Sequence, residues 1–143
     1  MLSYQANKEW LHKLMDLLEA HFGPDVEFVL HDLTLDYEHT IVDIRNGHIT
    51  GREIGGTGDI LGLEYIRNAS EDNGTYYNFI EYTKEGKTLR SSTMFIKHNS
   101  KLVGMLCINF DDSRYLAASE NVLRLCHPDI FIDDHIAPQQ AEP

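Results

Sequence analysis

The stretch KTLRSSTMFIKHNSKLVGMLCINF, Lys87 to Phe110, reads as two β-strands, because apolar and β-branched residues recur in both arms and His98-Asn99-Ser100-Lys101 interrupts them with turn chemistry. Upstream, TYYNFIEYT (Thr75 to Thr83) and the turn KEGK (Lys84 to Lys87) extend the pair to a three-stranded antiparallel meander. The middle strand carries Arg90, Ser91, Ser92 and Thr93 in mid-run. Strand geometry sends Arg90 and Ser92 to one face with Met94 and Ile96, and Ser91 and Thr93 to the other with Leu89 and Phe95. Both faces therefore mix apolar and polar groups.

Outward from the meander, NKEWLHKLMDLLEAHFG places Trp10, Leu11, Leu14, Leu17, Leu18 and Phe22 at helical spacing before Gly23-Pro24, which predicts a helix over about residues 6–22. VEFVLHDL, Val26 to Leu33, alternates as an interior strand with two largely apolar faces. In TIVDIRNGHITGR, Asn46-Gly47 predicts a type I′ hairpin in which Ile44 pairs with Ile49 and Val42 with Gly51. The glycine-rich run around Ile60, Leu61, Leu63 and Ile66 suggests one or two brief helices. Asp111 or Asp112 can cap an exit helix over about residues 112–126, with Tyr115, Ala118, Val122 and Leu125 on one face and Pro128 stopping it. The expected architecture is α+β. It has one antiparallel sheet flanked by N-terminal and C-terminal helices, a core over about 25–111, and an acidic tail, 127–143, that is disordered or a linker stub.

A chain of 143 residues with 42% hydrophobic and 24% charged content fits one globular domain that buries a core unaided. With 12 basic and 23 acidic residues the formal charge is -11, which disfavours direct gripping of nucleic-acid phosphates. Charges scattered through Met1 to Gly23 exclude a signal peptide or a membrane span there, and two cysteines, Cys107 and Cys126, imply reduced thiols. Together these predict a soluble, cytoplasmic protein that does not engage membranes.

The mixed polarity of the middle strand admits two readings. Ser91 to Thr93 either fill an exposed sheet face, with Arg90 paired to Glu81 or Glu85, or they line a cavity in which Arg90 holds an anionic group. The candidate ligand-binding set is Arg90, Ser91, Ser92, Thr93, Asn109, His31 and Tyr82. Asn109 needs a partner wherever it is buried. His31 and Asp32 are strand neighbours and cannot chelate one ion together, and the eight histidines show no HExxH or i, i+4 spacing, so no metal is expected. Cys107 sits between Leu106 and Ile108, where burial quiets a thiol; no GxSxG elbow, GxGxxG or Walker spacing occurs, so no catalytic residue and no cofactor are expected.

EFVLHDL (Glu27 to Leu33), IVDIRNGHITGREIG (Ile41 to Gly55), LGLEYI (Leu61 to Ile66), TKEGKTLRSSTMFI (Thr83 to Ile96) and LVGMLCINFD (Leu102 to Asp111), in this order, resemble the YheO-like PAS-domain family across nearly all of residues 7–115. That resemblance implies a PAS fold acting as the sensor of a transcriptional regulator, ahead of a carboxy-terminal helix-turn-helix. No segment after Asp111 has the length or basic character of that module, so this chain would be a sensor fragment or a stand-alone domain that meets DNA only indirectly. Cys107 on a strand does not match the helical Asn-Cys-Arg-Phe setting of light-sensing PAS domains. The expected ligand is a small polar metabolite. An amino acid would suit both Arg90 and the acidic excess, which includes Glu27 and Glu81. Surplus apolar surface on the first helix predicts a homodimer through the terminal helices. The alternatives are a ligand-free dimerisation module and a small enzyme using His31 with Arg90.

Overall fold

The computed structural model describes residues 3–57, 75–127 and 129–130. The brief helices expected around Ile60 to Ile66 and most of the expected acidic tail lie outside these described residues. Helix α1 spans Tyr4–Phe22 and strand β1 Val26–Asp32; β2 is Ile41–Arg45, β3 Thr75–Tyr82, β4 Thr88–His98 and β5 Lys101–Phe110, and helix α2 closes the order at Ser113–Cys126. The strands form a five-stranded sheet ordered β2-β1-β5-β4-β3, with every adjacent pair antiparallel. Among the described residues no helix is long and apolar enough to cross a membrane.

Ser3 caps α1 by accepting from the Ala6 N–H, and Gly23 ends it in a positive-φ conformation. The helix lays Met15, with Leu11, Leu18 and Tyr4 beside it, onto Val26, Phe28 and Leu30 of β1. Full burial of such side chains contributes about 1.5–3 kcal/mol each. On the opposite face of the sheet, Phe95 and Met105 pack with Leu33, Leu102 and Cys107. All of β1 is buried, since strands flank it on both sides and apolar layers cover both faces. At its end, the Asp32 carboxylate accepts from the Thr34 N–H and hydroxyl and caps the turn that follows.

The hairpin expected at Asn46-Gly47 does not form. β2 pairs with β1, Val29 opposite Ile44, and the chain enters a 3-10 turn over Gly47–Ile49. A type I′ turn needs positive φ at both central residues, and here Asn46 alone has it, at 57°. Its side-chain amide is spent on the carbonyls of Gly23 and Val26, both at 2.8 Å, which pins the turn beside β1. Gly47 is required for a different reason: a Cβ there would lie 2.8 Å from the Arg52 carbonyl oxygen. The two-residue turn with both φ angles positive occurs instead at Asn99 (51°) and Ser100 (65°), between β4 and β5. It holds the meander expected from the sequence.

At the far end, Asp111 caps α2, its carboxylate accepting from the Ser113 N–H at 3.0 Å, while Asp112 makes no side-chain cap bond. α2 has no buried residue. Arg114 and Tyr115 tie its first turn to the Asp25 carboxylate.

Candidate functional site

Strand pairing places Glu27 opposite Asn109, and Asn109 opposite Ser91, on three adjacent strands. Residues directly opposite share a face, so these three side chains meet on the side of the sheet away from α1. They are 0%, 1% and 1% exposed, as deeply enclosed as the apolar core. The Asn109 amide donates to Glu27 Oε1 at 2.8 Å. Glu27 Oε2 accepts from the Thr50 hydroxyl at 2.6 Å and the Thr50 N–H at 3.3 Å. The 3-10 turn after β2 delivers Thr50 to this place, so the departure from a hairpin is what completes the cluster. Ser91 Oγ lies 2.7 Å from Asn109 Oδ1 and 3.2 Å from Glu81 Oε2. A hydroxyl has one proton, so two acceptors compete for it.

Thr93 and Cys107 continue the same face, with the Thr93 hydroxyl 3.6 Å from the thiol. Burial pushes the Cys107 thiol up to about 12, against a smaller lowering by the Thr93 hydrogen bond. Glu81 and Glu27 add to the rise and Arg52 opposes it, each less than burial does. His31 is also buried on this face, its Nδ1 2.8 Å from the Thr40 hydroxyl. That contact is structural.

The seven residues singled out from the sequence therefore divide. Ser91, Thr93, Asn109 and His31 lie on the face away from α1; Arg90, Ser92 and Tyr82 lie on the α1 side, opposite Phe110, Ile108 and Thr88. Arg90 pairs with neither Glu81 nor Glu85. Its Nη1 donates to Asn78 Oδ1 at 2.7 Å, and its guanidinium stacks over the Phe110 ring at 5.3 Å. Ser92 Oγ accepts from the Asn78 N–H at 3.1 Å. Asn78 has a φ of 57° where the β3–β4 register shifts, so Arg90 and Ser92 clamp a β-bulge. His31 and Arg90 on opposite faces cannot orient one substrate together, which removes the geometry of the enzyme alternative.

Glu27, Thr50 and Glu81 complete the cluster and were not singled out as a site. Glu27 and Glu81 left a signal, as part of the acidic excess that would suit a ligand amino group, whereas Thr50 left none. Elsewhere, Asp36, Glu38 and His39 bring ligand atoms within 4.8 Å of one another on an exposed loop, with His39 Nδ1 held 2.8 Å from the Gly55 carbonyl oxygen. Exposed acidic groups gather in this way without an ion.

Comparison with known proteins matches the sequence model of the YheO-like PAS domain to residues 5–127. An uncharacterized protein of Haemophilus influenzae is 31% identical over 99 residues, covering 68% of this chain. The chain spans 44% of that relative's length. Among solved structures, an RNA-binding light-oxygen-voltage receptor aligns with 77% of this chain and 36% of its own, at 13% identity and a TM-score of 0.47. The PAS domain of a protein from Colwellia psychrerythraea aligns with 67% of this chain and 96% of its own, at 20% identity and a TM-score of 0.41. With the family model covering most of its length, the chain belongs to the YheO-like PAS domain family.

Proposed function

We propose that this PAS domain is a sensor rather than an enzyme. It takes a small polar metabolite bearing an ammonium group, an amino acid being the simplest case, on the sheet face away from α1. The observation that carries the reading is the shared proton at Ser91, which two acceptors, Asn109 Oδ1 and Glu81 Oε2, approach together. An ammonium brings three donors to such a place and a positive charge between Glu27 and Glu81. Arg52, whose backbone N–H donates to the Thr50 hydroxyl at 3.2 Å, is the cation nearest in sequence to Thr50 and supplies the opposite pole for a ligand carboxylate.

Occupancy has a short route outward. Asn109 is the penultimate residue of β5, and the strand runs directly into Asp111, the cap of α2. A ligand that moves Asn109 biases the first turn of α2, and α2 carries the change to a module outside this chain, such as the helix-turn-helix that the family resemblance implies.

The test is thermal unfolding against amino acids of both hands, simple amines, carboxylates, sugars and nucleotides. A ligand at 100 times its dissociation constant stabilises by about 2.7 kcal/mol. The expected result is a rise confined to amine-bearing compounds, lost in Glu27→Gln and kept in Arg90→Gln. No rise across the panel, in protein shown by mass spectrometry to carry no co-purified small molecule, overturns the reading.

A further inference from the structure

Beside the last turn of α1, on the face of the sheet opposite the Glu27 cluster, lies a cavity of about 240 Å³. Its floor is two rows of residues paired across three strands: Val26, Phe110 and Arg90 in one, Phe28, Ile108 and Ser92 in the next. Gly23 stops α1 with a positive φ, so Phe22 is the last helical residue, and its ring lies 5.9 Å from that of Phe28. Phe22 remains 54% exposed and roofs the cavity on one side only.

The lining is apolar except for Arg90 and Ser92, which stand together on β4. Arg45, Arg114 and Arg124 each hold a carboxylate; among the described residues Arg90 has none, although acids outnumber bases 23 to 12. One of its N–H donors is engaged by Asn78 Oδ1, and the Phe110 ring carries one face of the guanidinium. The Ser92 hydroxyl accepts from the Asn78 N–H, and no described group accepts the proton it carries. The acids that flank the floor in sequence are already paired, Asp25 with Arg114 and Asp111 with Lys87.

We infer that this cavity is a second ligand site, separate from the amine site on the other face and independent of it, and that it takes a small apolar monocarboxylate, an aryl or short-chain acid. The apolar body lies between Phe22 and the floor, and the carboxylate meets the open fork of Arg90 with the Ser92 hydroxyl donating beside it. Size sets the class. Sites for drug-sized ligands hold about 300–1,000 Å³, so this one admits a single ring or a short chain with its acid group. Charge sets the sign, since an ammonium compound would meet Arg90 as a like charge. Stacking on Phe110 dries one side of the guanidinium, where an ion pair is worth more than at open surface. The Phe110 ring in turn lies 5.5 Å from that of Tyr115, so a body seated on Phe110 abuts the first turn of α2.

Benzoate, phenylacetate and hexanoate are titrated into the whole chain by calorimetry and by side-chain methyl NMR, with phenylacetamide and acetate as controls, for the parent and for Arg90→Gln and Phe22→Ala. Expected is saturable binding of an aryl or alkyl acid in the millimolar range or tighter, with shifts at the Val26 and Ile108 methyls and none at Thr93, which faces the other way. Affinity falls by at least about tenfold for phenylacetamide and in Arg90→Gln, falls in Phe22→Ala, and is not measurable for acetate, which lacks an apolar body. Arg90 also steadies the bulge at Asn78, so far-UV circular dichroism checks that Arg90→Gln folds, and the contrast of acid with amide on the parent chain stands without that variant. No saturable binding of any of the three acids overturns the inference. So does equal affinity for phenylacetamide, or a shift centred on Thr93 that survives Arg90→Gln, which would put the acid on the other face.

Discussion

Asn109 donates to Glu27 across 2.8 Å although 82 residues separate them in the chain, because β5 and β1 set them directly opposite each other. The amide group fits here as no other side chain does: its nitrogen faces a carboxylate and its oxygen faces the Ser91 hydroxyl.

Replacing Asn109 by alanine leaves Glu27 Oε1 without its donor, at about 1–3 kcal/mol for an orphaned buried group, while the Ser91 hydroxyl keeps Glu81 Oε2 as its acceptor. Asn109→Asp turns a donor into a second carboxylate facing Glu27. The pair then repels at neutral pH and recovers as acid protonates one member. Urea unfolding midpoints at neutral and mildly acidic pH check both. Equal midpoints for Asn109→Asp at the two values would show that the carboxyls do not face each other.

Arg45 holds the buried Asp43 with two hydrogen bonds, at 2.9 and 3.1 Å. That pairing, chiefly the hydrogen bonds to Asp43, raises the guanidinium pKa against the opposing effect of its own burial. Arg45→Ala strands the Asp43 charge with only His12 at 3.7 Å, and should cost about 2–3 kcal/mol, less than a fully buried pair because Asp16 and Glu19 are wet. Arg45→Lys recovers only part, having no planar fork. Chemical denaturation of the two variants gives the ranking.

Cys107 has a folded pKa raised from 9.0 to about 12, chiefly by burial. A raised value means that the folded state keeps the proton, so this contribution is whole below about pH 9 and falls as pH climbs towards 12. Cys107→Val should flatten the alkaline loss of stability across that window. At pH 8, iodoacetamide should label the exposed Cys126 and spare Cys107 until the protein unfolds. Rapid double labelling of folded protein would show that the half-buried Cys107 does not shield its thiol.

Burial pulls the Asp111 pKa up, but the Ser113 hydrogen bonds and Lys87 together outweigh it and leave it below 3.8. A lowered value stabilises above the unfolded pKa and is lost as pH falls through the folded one. Asp111→Ala should cost about 1 kcal/mol at neutral pH, mostly as fraying of α2, and less in strong acid. Amide exchange at Ser113 to Leu116 reads this directly.

Ser100 holds a left-handed φ of 65° in the β4–β5 turn. Such a conformation costs a non-glycine residue about 1–2 kcal/mol. Ser100→Gly makes Asn-Gly, the favoured type I′ pair, and should raise the thermal midpoint; an unchanged or lower midpoint would show that the Ser100 side chain contributes more than the strain it bears.

The sequence by itself determined the first helix, the interior strand β1, the three-stranded meander and the exit helix. The 3.6-residue spacing from Trp10 to Phe22 made α1, the period-two runs on either side of His98 to Lys101 made the meander, and the blocks from Glu27 to Asp111 carried the family. These are local properties, set by which residues lie within a few positions of one another. What lies across the sheet is not local. Asn46-Gly47 reads as a hairpin turn until the Gly23 and Val26 carbonyls claim the Asn46 amide, and Arg90 reads as a partner for Glu81 until a bulge at Asn78 receives it. Ser91 and Ser92, adjacent in sequence, part to opposite faces because a strand alternates. Which face meets Glu27 and which meets α1 was decided only when β1 took its place between β2 and β5, where burying a charged residue demands that hydrogen-bonding partners arrive from distant parts of the chain.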